Sequence, residues 1–144
     1  DHFDVARGER GRSNGLLPGM RPADGACYTP AARAAFAEGK RLELARYERR
    51  CAGAAGLEEL PIGHPYVFQN DTEFIAGYLE LFFRCPHGFA AMNPALFGGF
   101  AAVFGYDPRA GWEADFPFYL NENRRYYASG VQPPRAGITV PPTV

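Results

Sequence analysis

The stretch Asn70-Asp-Thr-Glu-Phe-Ile-Ala-Gly-Tyr-Leu-Glu-Leu-Phe-Phe-Arg84 decides the fold of this 144-residue chain. Asn70 is a good N-cap residue, acidic residues follow it, and Pro86 stops the pattern, so the spacing predicts a helix over 71–84. Apolar side chains occupy nearly the whole circumference of this helix, which is typical of a helix buried in a core. We therefore expect the other elements to pack around it.

Two more helices are predicted on either side of this one. Residues 29–52 are rich in alanine, with Thr29 as the cap and Pro30 at the first helical position. The residues expected on its apolar face are Phe36, Leu44, Tyr47 and Cys51, and those expected to point outward are Lys40, Glu43, Arg46 and Arg50. The next helix begins at Pro94 and ends before Gly105, so it covers 94–104.

The segments between and beyond these helices are predicted to be irregular. Residues 86–93 read as a short turn, and the prolines in 57–69 exclude a helix interior, so Tyr66–Phe68 should be extended. Residues 109–128 are ambiguous: the stretch 120–127 has room for a helical turn or two. The aromatic side chains that favour burial there are Trp112, Phe116, Phe118 and Tyr119. No convincing strand pair is found.

These elements predict a single, mainly α-helical domain over residues 1–129. It consists of an irregular loop (1–28), a helical core (29–108) and an aromatic-rich extension (109–129). A Pro-rich segment, 130–144, should be an extended tail or a linker. The first residue is Asp1 and not Met, which predicts a processed product or an excised piece.

Composition excludes several classes of protein. The formal net charge is −1, which argues against a nucleic-acid-binding protein. No apolar run approaches the roughly 18 residues of a membrane-spanning helix. The cysteines Cys27, Cys51 and Cys85 are odd in number and form no Cys-x-x-Cys pair, so we expect buried thiols in a reducing compartment. This predicts a cytoplasmic protein; a secreted effector, and one disulfide beside a free thiol, remain the alternatives.

Two carboxylates on the central helix are candidates for function. Helical spacing places Glu73, Gly77 and Glu80 on one stripe, and carboxylates on an apolar helix are costly unless they are paired or bind a metal. Two interpretations of Glu73 stay open, because its spacing from Asn70 also matches a capping box. Glu80 has a similar alternative, an ion pair with Arg84 four residues on.

A longer set of residues carries a family resemblance. In order they are Tyr66, Glu73, Glu80, Phe82-Phe83, Pro86-His-Gly-Phe89, Pro94-Ala-Leu-Phe97 and Asp107-Pro108. This order resembles the C-terminal part of the MtfA-like zinc-dependent peptidases, relatives of the anthrax lethal factor catalytic domain. Asp1-His-Phe-Asp4 and Ser13-Asn-Gly-Leu-Leu-Pro18 are similar to the segment that follows the zinc-binding helix in that family. The resemblance covers roughly residues 1–108.

The resemblance implies a zincin-type fold, a zinc cofactor and a peptide or protein substrate. Glu73 would be the third zinc ligand, beside two histidines of a His-Glu-x-x-His helix. Tyr66 would be the catalytic tyrosine that stabilises the oxyanion, and Glu80 a buried residue supporting the ligands. Gly77 stands where lethal-factor-like relatives have a further glutamate, so that contact is missing.

The chain departs from the family in one major respect. None of the three histidines belongs to a His-Glu-x-x-His motif. His2 is expected where the chain leaves the zinc helix, His64 in a loop, and His87 at a helix end in an exposed or capping role.

The predicted function is therefore the third-ligand, C-terminal portion of a zinc metallopeptidase. It should be inactive unless an N-terminal half or a partner chain supplies the missing helix, and zinc is expected only with ligands from elsewhere. The alternative is a non-catalytic helical interaction module that presents the aromatic surface of residues 112–127 to a partner. A coincidental resemblance, leaving a small helical domain, is the third interpretation.

Overall fold

The computed structural model describes residues 28–140 together with Asp4, Arg12–Ser13, Gly15–Leu17 and Arg21–Pro22. Within these residues the fold is mainly α-helical, as the sequence predicts. The helices are α1 (Pro30–Cys51), α2 (Asp71–Arg84), α3 (Pro86–Met92), α4 (Pro94–Phe104) and α5 (Pro117–Ala128), with 3₁₀ helices at Leu57–Glu59, Pro65–Phe68 and Pro108–Ala110. Nowhere in this described part is a helix long and apolar enough to cross a membrane.

The bounds of α1, α2 and α4 agree with the prediction because local residues cap these helices. Thr29 Oγ1 accepts a hydrogen bond from Ala32 N at 3.1 Å at the start of α1. Asn70 Oδ1 accepts one from Glu73 N at 2.9 Å at the start of α2. The end of α4 is set by Gly105, whose φ of 60° is accessible to glycine at little cost.

Two predicted irregular segments are helical instead. Residues 86–92 form α3, because Asp115 binds its first turn: Oδ1 accepts from His87 N at 2.9 Å and Oδ2 from Gly88 N at 2.6 Å. Pro65–Phe68 forms a 3₁₀ helix and is not extended, since proline suits a first helical position. The contact from Asp115 lies outside what local residue patterns show, whereas the cap of the 3₁₀ helix is local.

The N-terminal segment contains a buried acid that organises a turn. Asp4 is buried, and its carboxylate accepts hydrogen bonds from Ser13 Oγ at 2.5 Å, Leu16 N at 3.1 Å and Leu17 N at 2.8 Å. Beside this turn, the two-residue strands β1 (Arg12–Ser13) and β2 (Arg21–Pro22) pair in parallel. This strand pair was not predicted from the sequence.

The core forms where α1 crosses α4 and α2 packs against both. Two glycines permit the close crossing: a Cβ at Gly99 would lie 2.8 Å from Phe36 N, and one at Gly39 would overlap the backbone of Leu96. The buried side chains of α2 are Phe74, Ile75, Tyr78, Leu81 and Phe82. The helix is thus buried on this face, as predicted, whereas Phe83 is 41% exposed, so burial does not extend around its whole circumference.

The outward orientation predicted for Lys40 and Glu43 is also wrong, because both are fully buried. Lys40 Nζ lies 2.5 Å from Asp71 Oδ1 at the start of α2. Desolvation lowers the pKa of Lys40, although the hydrogen bond and charge of Asp71 oppose this effect. Glu43 belongs to a hydrogen-bond network that positions the candidate site.

The aromatic extension and the tail also differ from expectation. Trp112, Phe116 and Phe118 are 42%, 48% and 64% exposed, so their predicted burial was wrong. Residues 130–140 are irregular, as predicted, but they are anchored to the core. Gly137 N donates to Phe68 O at 2.5 Å, and the amide of Thr139 donates to Asp71 Oδ1 at 2.9 Å.

The cysteines divide between two environments. Cys85 is buried, in agreement with the prediction, whereas Cys51 is exposed at the end of α1, where burial was expected. Both are free thiols. Cys27 lies outside the described residues.

Candidate functional site

A pocket of about 300 Å³ opens beside α2. Its walls come from the 3₁₀ helix Pro65–Phe68 and the residue before it, from α2 and from α5. The lining residues are His64, Tyr66, Val67, Glu73, Ala76, Gly77, Glu80, Leu81, Tyr119 and Asn123. The structure thus brings Tyr66, Glu73 and Glu80 together around one cavity, although their roles remain predictions.

Glu73 lies in the first turn of α2 with its carboxylate available to the pocket. Its backbone amide is bound by Asn70 Oδ1, which is one half of a capping box. The second half, a bond from Asn70 N to the Glu73 carboxylate, is not present. Among the described residues, the Glu73 carboxylate has no hydrogen bond or ion pair. The half-buried side chain is therefore held on a rigid helix without being used in its cap.

Gly77 and Glu80 occupy the same face of α2, one and two turns after Glu73. The Glu80 carboxylate lies 3.4 Å from Arg84 Nε, and both side chains are about half exposed. Glu80 is therefore exposed and paired, as its alternative interpretation predicted, and does not form a buried support. Val67 Cγ1 fills the space that a Cβ at Gly77 would need, so Gly77 allows the 3₁₀ helix to approach α2 closely.

The loop before Tyr66 is fixed by side chains from three helices. Four hydrogen bonds satisfy the backbone N–H and C=O groups of two consecutive residues. They join Ile62 N to Glu43 Oε2 (2.8 Å), Ile62 O to Asn123 Nδ2 (2.9 Å), Gly63 N to Tyr78 Oη (3.1 Å) and Gly63 O to Tyr127 Oη (2.9 Å). A Cβ at Gly63 would meet the Tyr78 ring at 2.8 Å, so only glycine fits there. The position of the pocket wall is thus set by buried contacts.

Glu43 is the centre of this network. Its carboxylate also accepts hydrogen bonds from Arg46 Nη1 at 2.5 Å, from Asn93 Nδ2 at 3.1 Å and from the hydroxyl of Tyr78. Burial and the charge of Glu43 raise the pKa of Tyr78, so this hydroxyl stays protonated and donates a hydrogen bond to the carboxylate. The sequence pattern did not predict a buried Glu43, because the spacing of Glu43 and Arg46 suggested a solvated helix face.

His64 forms part of the pocket wall and has a fixed arrangement. Its Nδ1 accepts a hydrogen bond from Tyr66 N at 3.1 Å, and its ring packs edge-on against Tyr126 with centroids 4.5 Å apart. An Nδ1 that accepts a hydrogen bond carries no proton, so the proton of the neutral ring is on Nε2. Burial lowers the pKa of His64, which keeps the ring neutral at pH 7. The sequence identified it only as a loop residue.

The other histidines lie away from the pocket or outside the described residues. His87 is exposed in the first turn of α3, in agreement with the prediction, and its Nε2 donates to Trp112 O at 2.8 Å. His2 lies outside the described residues. Among the described histidines, only His64 therefore lies at the pocket with Glu73.

The pocket fits one ligand of a zinc site but not a complete one. Glu73 offers a carboxylate oxygen, which is a type of donor that zinc accepts. His64 would have to lose its Nε2 proton and its bond to Tyr66 N to present a usual metal-ligand geometry. Across the described part of the chain, no group of three His, Cys, Asp or Glu side chains is placed to hold a metal ion. A zinc site at this pocket would need ligands from outside the described residues.

Known proteins provide no independent assignment, because the chain matches no protein-family model, no curated protein and no solved structure. The pocket and its lining residues are therefore the basis for assigning a function.

Proposed function

We propose that this chain contributes Glu73 and Tyr66 to the active site of a zinc metallopeptidase. The two histidine ligands and the general base would come from a His-Glu-x-x-His helix outside residues 1–144. The observation that supports this most is the carboxylate of Glu73, which has no partner among the described residues and belongs to a pocket that Tyr66 also lines. The sequence resemblance assigns the ligand and the oxyanion donor to the same two residues.

The fold suits both residues to these tasks. Glu73 belongs to α2, which five buried side chains anchor in the core, so its carboxylate needs little reorganisation when it binds a cation. Tyr66 follows the fixed loop Ile62–His64 and is 48% exposed, which leaves its hydroxyl accessible to a substrate. A tyrosine hydroxyl is a neutral donor that stabilises negative charge developing on a carbonyl oxygen. Zinc, when bound, would supply Lewis-acid activation of water and of the carbonyl.

The experiment compares two proteins: the 144-residue chain, and the same chain extended by the residues that precede Asp1 in its own gene. Zinc content is measured together with hydrolysis of a fluorogenic casein substrate. We expect one zinc per extended chain, and we expect Glu73→Gln to lose both zinc and hydrolysis. Glu80→Gln is the matched control, because Glu80 lines the same pocket on the same helix.

Two results would refute the proposal. One is an upstream sequence without a His-Glu-x-x-His motif, combined with zinc-free protein. The other is an extended protein in which Glu73→Gln retains zinc and activity at the level of Glu80→Gln. Both results would require another function for the pocket.

A non-catalytic interaction module is the second candidate, and the exposed aromatic residues favour it. Trp112 and Phe116 contact each other with ring centroids 5.5 Å apart, and Phe118 is 64% exposed. The backbone beneath them is held in place, since Phe116 N donates to Arg84 O at 2.9 Å. Under this alternative, Glu73→Gln would leave every measured property unchanged, whereas Trp112→Ser would abolish binding to the partner.

A further inference from the structure

We propose that His64 is a second hydrogen-bond donor of the pocket, which acts beside Tyr66 on the same substrate oxygen. The inference rests on the proposed function and adds a residue that the resemblance does not assign. Three observations carry it: the position of the ring, the tautomer that its backbone contact imposes, and the way the loop is held.

The position of His64 comes first. It lines the pocket with Tyr66 and Glu73, and a single residue, Pro65, separates it from Tyr66. The two side chains therefore belong to one short 3₁₀ helix and to the residue that caps it. A ligand in this pocket therefore has both side chains in the wall around it.

The second observation is the tautomer of the His64 ring. Because Nδ1 accepts Tyr66 N at 3.1 Å, the neutral imidazole has its only N–H at Nε2. This N–H has no partner among the described residues. Nε2 is thus a hydrogen-bond donor and not an acceptor. A neutral donor is suited to an oxygen that gains negative charge only in the transition state.

The support of the loop comes third. The backbone of Ile62 and Gly63 is bound on all four polar groups, by three buried side chains and by the partly buried Asn123. The edge contact with Tyr126 fixes the ring plane of His64 as well. Such support is more than a 3₁₀ cap requires, and it holds a donor in place before substrate binds, which is the condition for effective electrostatic stabilisation.

Two substitutions separate the donor from the cap. In His64→Asn, the side-chain oxygen replaces Nδ1 as acceptor for Tyr66 N, and the Nε2 donor is lost. In His64→Gln, the longer amide places an N–H near the Nε2 position, and the acceptor is lost. The extended, zinc-loaded protein is assayed for kcat, KM, zinc content and melting temperature. We expect His64→Asn to lower kcat by about 10²-fold with KM, zinc content and melting temperature retained.

His64→Gln should show the opposite result, with kcat within about tenfold of the wild type and a lower melting temperature. Equal kcat in His64→Asn and the wild type would overturn the inference and leave the proposed function intact. A wild type without zinc or hydrolysis would refute the proposed function and this inference together.

A third measurement is independent of activity. The tautomer of His64 is read in the ¹⁵N-labelled 144-residue chain from two-bond ¹H–¹⁵N correlations of the imidazole ring. We expect the Nε2–H form. An Nδ1–H form would overturn the inference, because the ring would then present an acceptor to the pocket.

Discussion

Glu43→Leu is the substitution that most directly tests how the pocket wall is held. Leucine is close to glutamate in size, so the change removes the carboxylate and leaves only a small cavity. The side chain of Glu43 is fully buried, and it accepts hydrogen bonds from Ile62 N, Tyr78 Oη, Asn93 Nδ2 and Arg46 Nη1. Ile62 N, Tyr78 Oη and Arg46 Nη1 lose this acceptor when the carboxylate is removed, whereas Asn93 Nδ2 keeps its bond to Gly39 O at 2.9 Å.

The size of the effect follows from these contacts. A buried donor left without an acceptor costs about 1–3 kcal/mol. Ile62 N and Tyr78 Oη are buried from water and lose their acceptor, whereas Arg46 is partly exposed and regains solvent. Removing one partner of a buried charged network destabilises proteins by about 3–5 kcal/mol after relaxation. We expect a loss of this size, which corresponds to about 10–20 °C in melting temperature for a domain of this length.

Urea unfolding followed by far-UV circular dichroism measures the free energy directly. The matched control is Glu38→Leu on the same helix, where the side chain is 63% exposed and pairs with Arg41 at 2.8 Å. That control should change stability by less than about 1 kcal/mol. A loss below about 1 kcal/mol for Glu43→Leu, equal to the control, would refute the account of the network.

Three further experiments test the packing and the charges. Gly99→Ala should destabilise the protein by about 1–3 kcal/mol, because the added Cβ would clash with α1. Gly98→Ala should stabilise it by about 0.5–1 kcal/mol, because the space around Gly98 is open and alanine favours a helix. Thermal unfolding of both variants measures the difference. Asp71→Ala should lower stability by about 3 kcal/mol because it leaves the Lys40 ammonium buried, and adding Lys40→Met should restore most of the loss in urea unfolding. The His64 ring should titrate below pH 6.5 in an NMR pH series, because burial lowers its pKa. Between the lowered pKa and pH 6.5 the unfolded chain binds more protons than the folded chain, so the free energy of unfolding should rise with pH in this window and be level above it. A titration midpoint above pH 6.5 would contradict the burial of the ring.

The sequence predicts the helices best where their ends are fixed by neighbouring residues. Thr29, Asn70 and Gly105 each cap a helix through contacts within a few residues, so the bounds of α1, α2 and α4 follow from local chemistry. The helix α3 does not, because its capping residue, Asp115, lies 28 residues from His87.

The sequence predicts the burial of charged residues least well, again because their partners are far away in the sequence. Lys40 is neutralised by Asp71, 31 residues away, and Glu43 by donors up to 50 residues away. In the periodicity of α1 these residues resemble a solvated face. Only the tertiary fold shows that the face is covered by polar partners.

The candidate site was predicted in part. Resemblance to a family singled out Tyr66, Glu73 and Glu80, and the structure places all three at one pocket. His64 and Asn123 were missed, because neither has a motif around it. His64 is defined by a bond to the backbone of the next turn, and Asn123 by a bond to Ile62 O on a distant loop.

The central claim is that the carboxylate of Glu73 binds a metal ion. The direct measurement is anomalous diffraction at the zinc edge from crystals of the protein with its native upstream residues. The account predicts a peak about 2.0–2.2 Å from a Glu73 carboxylate oxygen, with two histidine nitrogens completing the protein ligands. A zinc peak ligated without Glu73, or a Glu73 carboxylate bonded instead to Asn70 N, would contradict it.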